Sequence, residues 1–247
     1  MVIKYTQKRM LGKNMGNLTN SQKSIWVTEQ YYRGSSINNI CGSAIIEEQL
    51  DFDKLEKAVK IVCEKHTNFR LQLKIEDGEV MQFLSNEKEP KIGIINVTNQ
   101  KELEKKLEKI VKKPFKLEES DLYKFYIIKF ENGEGGFMLN IHHLIADAWT
   151  LAFISNEIIK TYSELKQNQE VETKAIYSYM DYIKTEEEYL QSEKYQKDKK
   201  YWTEKFARLP EIATIPGSKI NADESNPEGN RKQFNLEKSE VEKIKQY

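Results

Sequence analysis

Apolar positions recur along this chain with two different periods. Leu55, Ala58, Val59 and Val62 fall three, four and seven apart within Asp51 to His66, which is the spacing of one helix face. Leu103, Leu107, Ile110 and Val111 repeat it within Asn99 to Lys113, where Pro114 ends the run. Leu71, Leu73 and Ile75 instead alternate with polar residues up to Asp77-Gly78, and Val80 to Leu84 resumes the pattern, which predicts a β-hairpin. Ile40 to Gln49, Ile92 to Val97, Leu122 to Phe130 and Phe137 to His142 read as further strands, the last two joined by a glycine-bearing reversal at Asn132 to Gly136. Thr19 and Gln22 have capping-box spacing, so a helix runs from there to about Tyr32. Helices are also expected over about Trp149 to Leu165 and, more polar, about Ser178 to Leu209. Residues 1–17 read as a loose lead-in, 210–230 as an extended connector with three prolines, and 232–247 as the start of an unfinished element. Strands and helices interleave without repeats. The expected class is therefore α/β or α+β, a two-layer sandwich with a mixed, largely antiparallel sheet.

Composition narrows the function. The 247 residues carry 39 Lys+Arg against 39 Asp+Glu, so no net field draws the chain to nucleic acid or to a membrane surface. No apolar run approaches the roughly 18 residues of a membrane span. Cys41 and Cys63 lack C-x-x-C spacing, which fits a reducing, cytoplasmic setting, and Cys63 extends a helix stripe as a small core residue. Only five residues are arginine, and only three are histidine: His66, His142 and His143.

Two of those histidines sit side by side at a strand end, in Ile141-His142-His143-Leu144-Ile145-Ala146-Asp147-Ala148-Trp149. Adjacent strand residues face opposite sides, so only one of the pair looks into a given cavity, and convergence with Asp147 on a metal ion is disfavoured. Two readings of the pair stay open. Either one imidazole is a hydrogen-bonded core group with Asp147 capping the next helix, or the pair serves catalysis. No G-x-S-x-G elbow is present, and neither cysteine has a histidine placed in sequence to activate it, which argues against an enzyme nucleophile.

The string His142-His143-x-x-x-Asp147, with Tyr162 downstream, resembles the signature of the condensation domains of nonribosomal peptide synthetases, within the chloramphenicol-acetyltransferase-like superfamily. Four other segments resemble that family's motifs in order: Leu18-Thr19-x-x-Gln22-x-x-Ile25-Trp26, Lys65-His66-x-x-Phe69-Arg70, Tyr179-Met180-Asp181-Tyr182, and Tyr201-Trp202 through Leu209-Pro210. Lys65 departs from the family's arginine, and Ala148 stands where glycine is usual. The resemblance implies a chloramphenicol-acetyltransferase-like lobe that joins an amine to an acyl thioester, with His143 facing the reaction channel and His142 as a packing group. It also implies that Asp147 pairs with Arg70 to hold the histidine loop, that Ala148 and Trp149 line the substrate channel, and that Tyr162 and Trp202 anchor the core. His66 is expected to act as a helix-end cap.

The chain itself would bind no cofactor or metal. Its substrates would arrive on the 4'-phosphopantetheine arms of donor and acceptor peptidyl carrier domains, beside an adenylation domain. Residues 18–209 would form the N-terminal lobe, and 210–247 the connector and the start of the C-terminal lobe. The face meant for that second lobe would be open to self-association. Two alternatives remain: a starter domain that N-acylates the first amino acid from a fatty acyl-CoA, favoured a little by the start at Met1, and a non-catalytic module that docks carrier proteins.

Overall fold

The computed structural model describes residues 15–86, 89–173, 178–211 and 234–246. The chain divides into two compact units, 1–209 and 210–247. In the second, one helix, α7 (Lys238–Ile244), is described. Most of the expected connector, and residues 1–14 of the expected lead-in, lie outside the described residues.

The first unit holds two sheets. Strands β1 (Met15–Asn17), β4 (Glu79–Leu84) and β3 (Leu71–Glu76) form one in the order β1-β4-β3, with every pairing antiparallel. Strands β2 (Asn39–Ile46), β7 (Gly135–His142), β6 (Tyr123–Phe130) and β5 (Ile92–Val97) form the other in the order β2-β7-β6-β5, antiparallel except for β5 with β6. That parallel pair needs a crossover, which α3 (Gln100–Val111) supplies between its strands. The remaining helices are α1 (Asn20–Tyr31), α2 (Phe52–Lys65), α4 (Ala148–Lys166), α5 (Tyr179–Leu190) and α6 (Glu193–Lys205), with a short 3-10 helix at Thr67–Arg70.

Alternation along β6 and β7 sorts the core into two. Phe125, Ile127, Phe137, Leu139 and Ile141 pack with Leu55, Val59 and Val62 of α2 and with Ile154 and Ile158 of α4. Ile128 and Met138 turn the other way, onto Leu103 of α3. Helices thus cover both faces of the four-stranded sheet, a layer more than the expected sandwich, within the same α/β class.

The capping box forms as the spacing predicts. Gln22 N–H donates to Thr19 Oγ1 at 3.2 Å and Thr19 N–H to Gln22 Oε1 at 2.9 Å. Two local readings need correction. Met15–Asn17 is paired with Met81–Phe83 of β4, so the lead-in ends earlier than residue 17. Gly135 and Gly136 belong to β7 rather than to the reversal, because a Cβ on Gly136 would lie 1.9 Å from the Ala44 carbonyl oxygen of β2.

Candidate active site

β7 is buried at every residue and ends at His142, so the chain leaves the sheet between the paired histidines. Residues 143–146 turn into α4, and hydrogen bonds fix each of them. His143 N–H donates to the Asn38 carbonyl at 2.8 Å, and Ile145 N–H donates to the His142 carbonyl at 3.1 Å. Leu144 N–H donates to His142 Nδ1 at 3.1 Å. The Leu144 carbonyl accepts from Gln22 Nε2 at 3.0 Å, and the Ile145 carbonyl accepts from Asn68 Nδ2 at 3.1 Å. Gln22 is itself braced by Gln82 of β4, each side-chain amide donating to the other's oxygen. The first and second matched segments therefore meet the histidine turn directly. The Tyr179-Met180-Asp181-Tyr182 segment joins the second, with Tyr179 N–H donating to Thr67 Oγ1 at 3.0 Å.

The two imidazoles are held in different ways. His143 is half-buried, and its Nδ1 lies 2.8 Å from the Ala146 carbonyl. A carbonyl only accepts, so Nδ1 carries the proton, and the Nε2 lone pair has no protein partner among the described residues. His142 is 1% exposed. Its Nδ1 accepts from Leu144, so Nε2 carries the proton and donates to Glu29 Oε1 at 3.0 Å. Burial pushes the His142 pKa down, against the upward pull of Glu29. His142 is thus a hydrogen-bonded core group, and since His143 lies past the strand end, it is the turn rather than strand alternation that separates the two rings.

Asp147 and Arg70 are not brought together. Asp147 is exposed and is the N-cap of α4, with Oδ1 accepting from the Thr150 N–H and from the Thr150 hydroxyl, both at 2.8 Å. Those bonds hold its carboxyl below the usual range. Arg70 Nε donates to the Ser85 carbonyl at 2.9 Å. The expected ion pair gives way to the local cap, since a carboxylate at an N-cap satisfies an amide three residues away without ordering a distant side chain.

The ion pair of the second motif lies elsewhere. Lys65 Nζ is 2.5 Å from Glu157 Oε1 of α4, and His66 Nε2 is 2.5 Å from Glu157 Oε2. An arginine fork would span both oxygens of one carboxylate, whereas here a lysine and a histidine divide them. His66 occupies the C-cap position of α2, but its side chain serves this clamp instead of capping. Ala148 and Trp149 open α4 and face outward, Trp149 at 84% exposure. Tyr162 is a core anchor whose hydroxyl accepts from Asp51 N–H at 3.1 Å. Trp202 is not one: it is 52% exposed and stacked on Phe206 of its own helix end.

Sequence reasoning missed Glu29, Asn38, Asn68 and Glu157. For Glu29 a signal existed, since it lies seven residues after Gln22 and so on the same face of α1, and both are buried. Among the described residues, no three His, Cys, Asp or Glu side chains group as metal ligands would.

The condensation-domain family model matches residues 13–247. Surfactin synthase subunit 1 of Bacillus subtilis (strain 168) is 29% identical over 205 residues, covering 80% of this chain and 6% of that protein. Tyrocidine synthase 3 of Brevibacillus parabrevis is 26% identical over 197 residues, covering 79% of this chain and 3% of that protein. Among solved structures, the starter condensation domain of rhizomide synthetase RzmA superposes with a TM-score of 0.73 at 20% identity, covering 81% of this chain and 49% of that one. The first condensation domain of the calcium-dependent antibiotic synthetase gives 0.70 at 18% identity, covering 80% and 48%. The chain thus spans about half the length of these solved domains and less than a tenth of either synthase.

Proposed function

Because the chain belongs to the condensation-domain family, we propose that it carries the histidine-bearing half of an amide-forming acyltransferase in a nonribosomal peptide synthetase. An amine on one 4'-phosphopantetheine arm attacks an acyl or peptidyl thioester on another. The carbon–nitrogen bond forms, the carbon–sulfur bond breaks, and the amine's surplus proton ends on the departing thiolate.

The observation that carries this reading is the Nε2 of His143, which has no protein partner among the described residues, on a ring whose other nitrogen is tied to Ala146. A lone pair fixed in direction can accept the amine's proton or a hydrogen bond from it, and holding the nucleophile in line accounts for much of the gain in rate. Free α-amines titrate near 8, so a useful fraction is unprotonated already and the demand on the base is modest.

Within this reading, residues 18–209 form the N-terminal lobe and 210–247 lead into a second lobe that completes the channel. Donor and acceptor carrier domains and an adenylation domain are the partners, and Ala148 and Trp149 lie along the substrate path. Among the described residues, no helix is long and apolar enough to cross a membrane.

The test is to give the parent enzyme a carrier-bound acyl thioester and a carrier-bound aminoacyl thioester and to look for the amide by mass spectrometry. Amide on the acceptor arm supports the proposal. Amide formed only when fatty acyl-CoA replaces the carrier-bound acyl donor, with the carrier-bound aminoacyl thioester as acceptor, would assign the starter reaction, and carrier binding with both thioesters left intact would leave only docking.

A further inference from the structure

We infer that Glu29 is a positioning residue for the His143 turn, acting through His142 and Asn38. The inference rests on the reading of His143 as the substrate-facing base. Glu29 is 8% exposed, on a face of α1 turned away from solvent. Its Oε1 accepts two hydrogen bonds, from Asn38 Nδ2 at 2.8 Å and from His142 Nε2 at 3.0 Å. Asn38 is equally buried, and its backbone carbonyl is the acceptor for His143 N–H at 2.8 Å. A single carboxylate oxygen from α1 therefore reaches both sides of the histidine pair, across 113 residues of sequence to His142.

What Glu29 specifies follows from hydrogen-bond bookkeeping. The His142 ring has a backbone N–H facing one nitrogen and Glu29 facing the other. Only the Nε2–H form satisfies both at once, because a proton on Nδ1 would oppose the Leu144 N–H. Without the carboxylate the Leu144 N–H still favours that form, but the buried Nε2–H loses its acceptor, and a flip of the ring to find another would strand the Leu144 amide. Asn38 would lose the bond that orients it, and with it the fixed acceptor for the His143 amide. The two rings thus hold opposite tautomers, Nε2–H in His142 and Nδ1–H in His143, with Glu29 and the Leu144 amide fixing the first ring from its two sides and Glu29 bracing the backbone of the second through Asn38. The remaining ring contact on His142, from Phe115 at 6.0 Å between centroids, is apolar and does not choose a tautomer.

The chain has only three histidines, so 15N-histidine labelling of the whole chain resolves each imidazole by long-range nitrogen–proton correlation. The wild-type chain should show Nε2–H at His142 and Nδ1–H at His143. Glu29→Leu should shift the His142 Nε2–H signals, because that proton loses its acceptor, and shift the His143 signals through Asn38. Glu29→Gln, whose Oε1 still accepts, should restore both. A folded Glu29→Leu chain with unchanged His142 and His143 signals would overturn the inference. Should that variant not fold, Asn38→Ala decides: faster hydrogen exchange at the His143 amide with the His142 tautomer kept supports the relay, and an unchanged His143 amide overturns it. Tautomers are read without turnover, so a chain that shows this pattern while its parent forms no amide would refute the proposed function and leave the role of Glu29 standing.

Discussion

The ring of His143 donates through Nδ1 to the carbonyl oxygen of Ala146, 2.8 Å away and three residues further along the same turn. The His143 imidazole is therefore oriented by backbone. Its direction depends on the turn keeping its shape, and that shape is fixed by Asn38, Gln22 and Asn68 from three other segments. The first prediction concerns the residue just past that turn.

Asp147→Ala should cost about 1 kcal/mol of stability, the usual value of a lost N-cap, and Asp147→Asn only a few tenths, since asparagine caps equally well. Urea unfolding of the two variants measures this. A loss of several kcal/mol in Asp147→Asn would reveal a buried charge partner and restore the Arg70 pairing that the structure does not form.

Glu157 should act as an acid-sensitive clamp between α2 and α4. Burial works against its charge, but hydrogen bonds from Lys65 and His66 outweigh burial and hold its carboxyl below the ordinary range. A depressed carboxylate contributes its stability above its unfolded pKa, near 4.3, and loses it as pH falls through the folded value. Glu157→Gln should therefore cost about 1–2 kcal/mol at pH 7, with the penalty shrinking toward pH 3. A variant indistinguishable from wild type at pH 7 would mean that the clamp adds nothing.

His142 predicts a second pH dependence of similar sign at a higher pH. Burial lowers its pKa from the free value of 6.5, so the unfolded chain takes up a proton before the native one does. Its contribution is complete above about pH 6.5 and declines below it, by at most about 1.4 kcal/mol per pH unit. Comparing wild type with His142→Gln between pH 7.5 and 5.5 isolates this slope. Parallel stability curves for the two would contradict it.

The legible parts of this fold were those whose signal is local. Thr19 and Gln22 are three residues apart, Asp77-Gly78 marks the hairpin between β3 and β4, and Ile92 to Val97 is bounded as the alternation predicts. Strand alternation does not govern the histidine pair, because β7 ends at His142 and His143 already lies in the turn. The parts that were not legible depend on choices among competing partners. Asp147 had Thr150 within its own turn and Arg70 far away in sequence, and the nearer partner prevailed. Glu157 and Glu29 find their histidines 91 and 113 residues away, a pairing that only the assembled sheet and helices determine. Trp202 had the composition of a core residue, but α6 buries none of its residues.

The 247-residue chain alone should fold cooperatively and yet form amide only at the uncatalysed rate. Its two packed clusters supply a core, but the chain spans 49% of the solved starter domain, and in the proposed reading it is a second lobe that completes the channel and positions the second arm. Trp149 and Phe153 stand exposed on adjoining turns of α4, an apolar surface suited to self-association. Sedimentation of the chain, together with the carrier-loaded assay, checks both halves of this statement. Turnover well above background would show that this half suffices.

The most direct test of the account is His143→Ala in the parent enzyme, with amide formation from carrier-loaded substrates measured beside the unfolding curve. The structure predicts loss of product by about 10²–10⁴-fold, the usual worth of a positioned acid–base group, with little change in stability because the ring is half-buried and bonded only within its own turn. His142→Ala should do the reverse, destabilising the fold by roughly 3 kcal/mol as the buried Glu29 loses a donor. Undiminished product from a folded His143→Ala enzyme would contradict the assignment of His143 as the group that meets the amine.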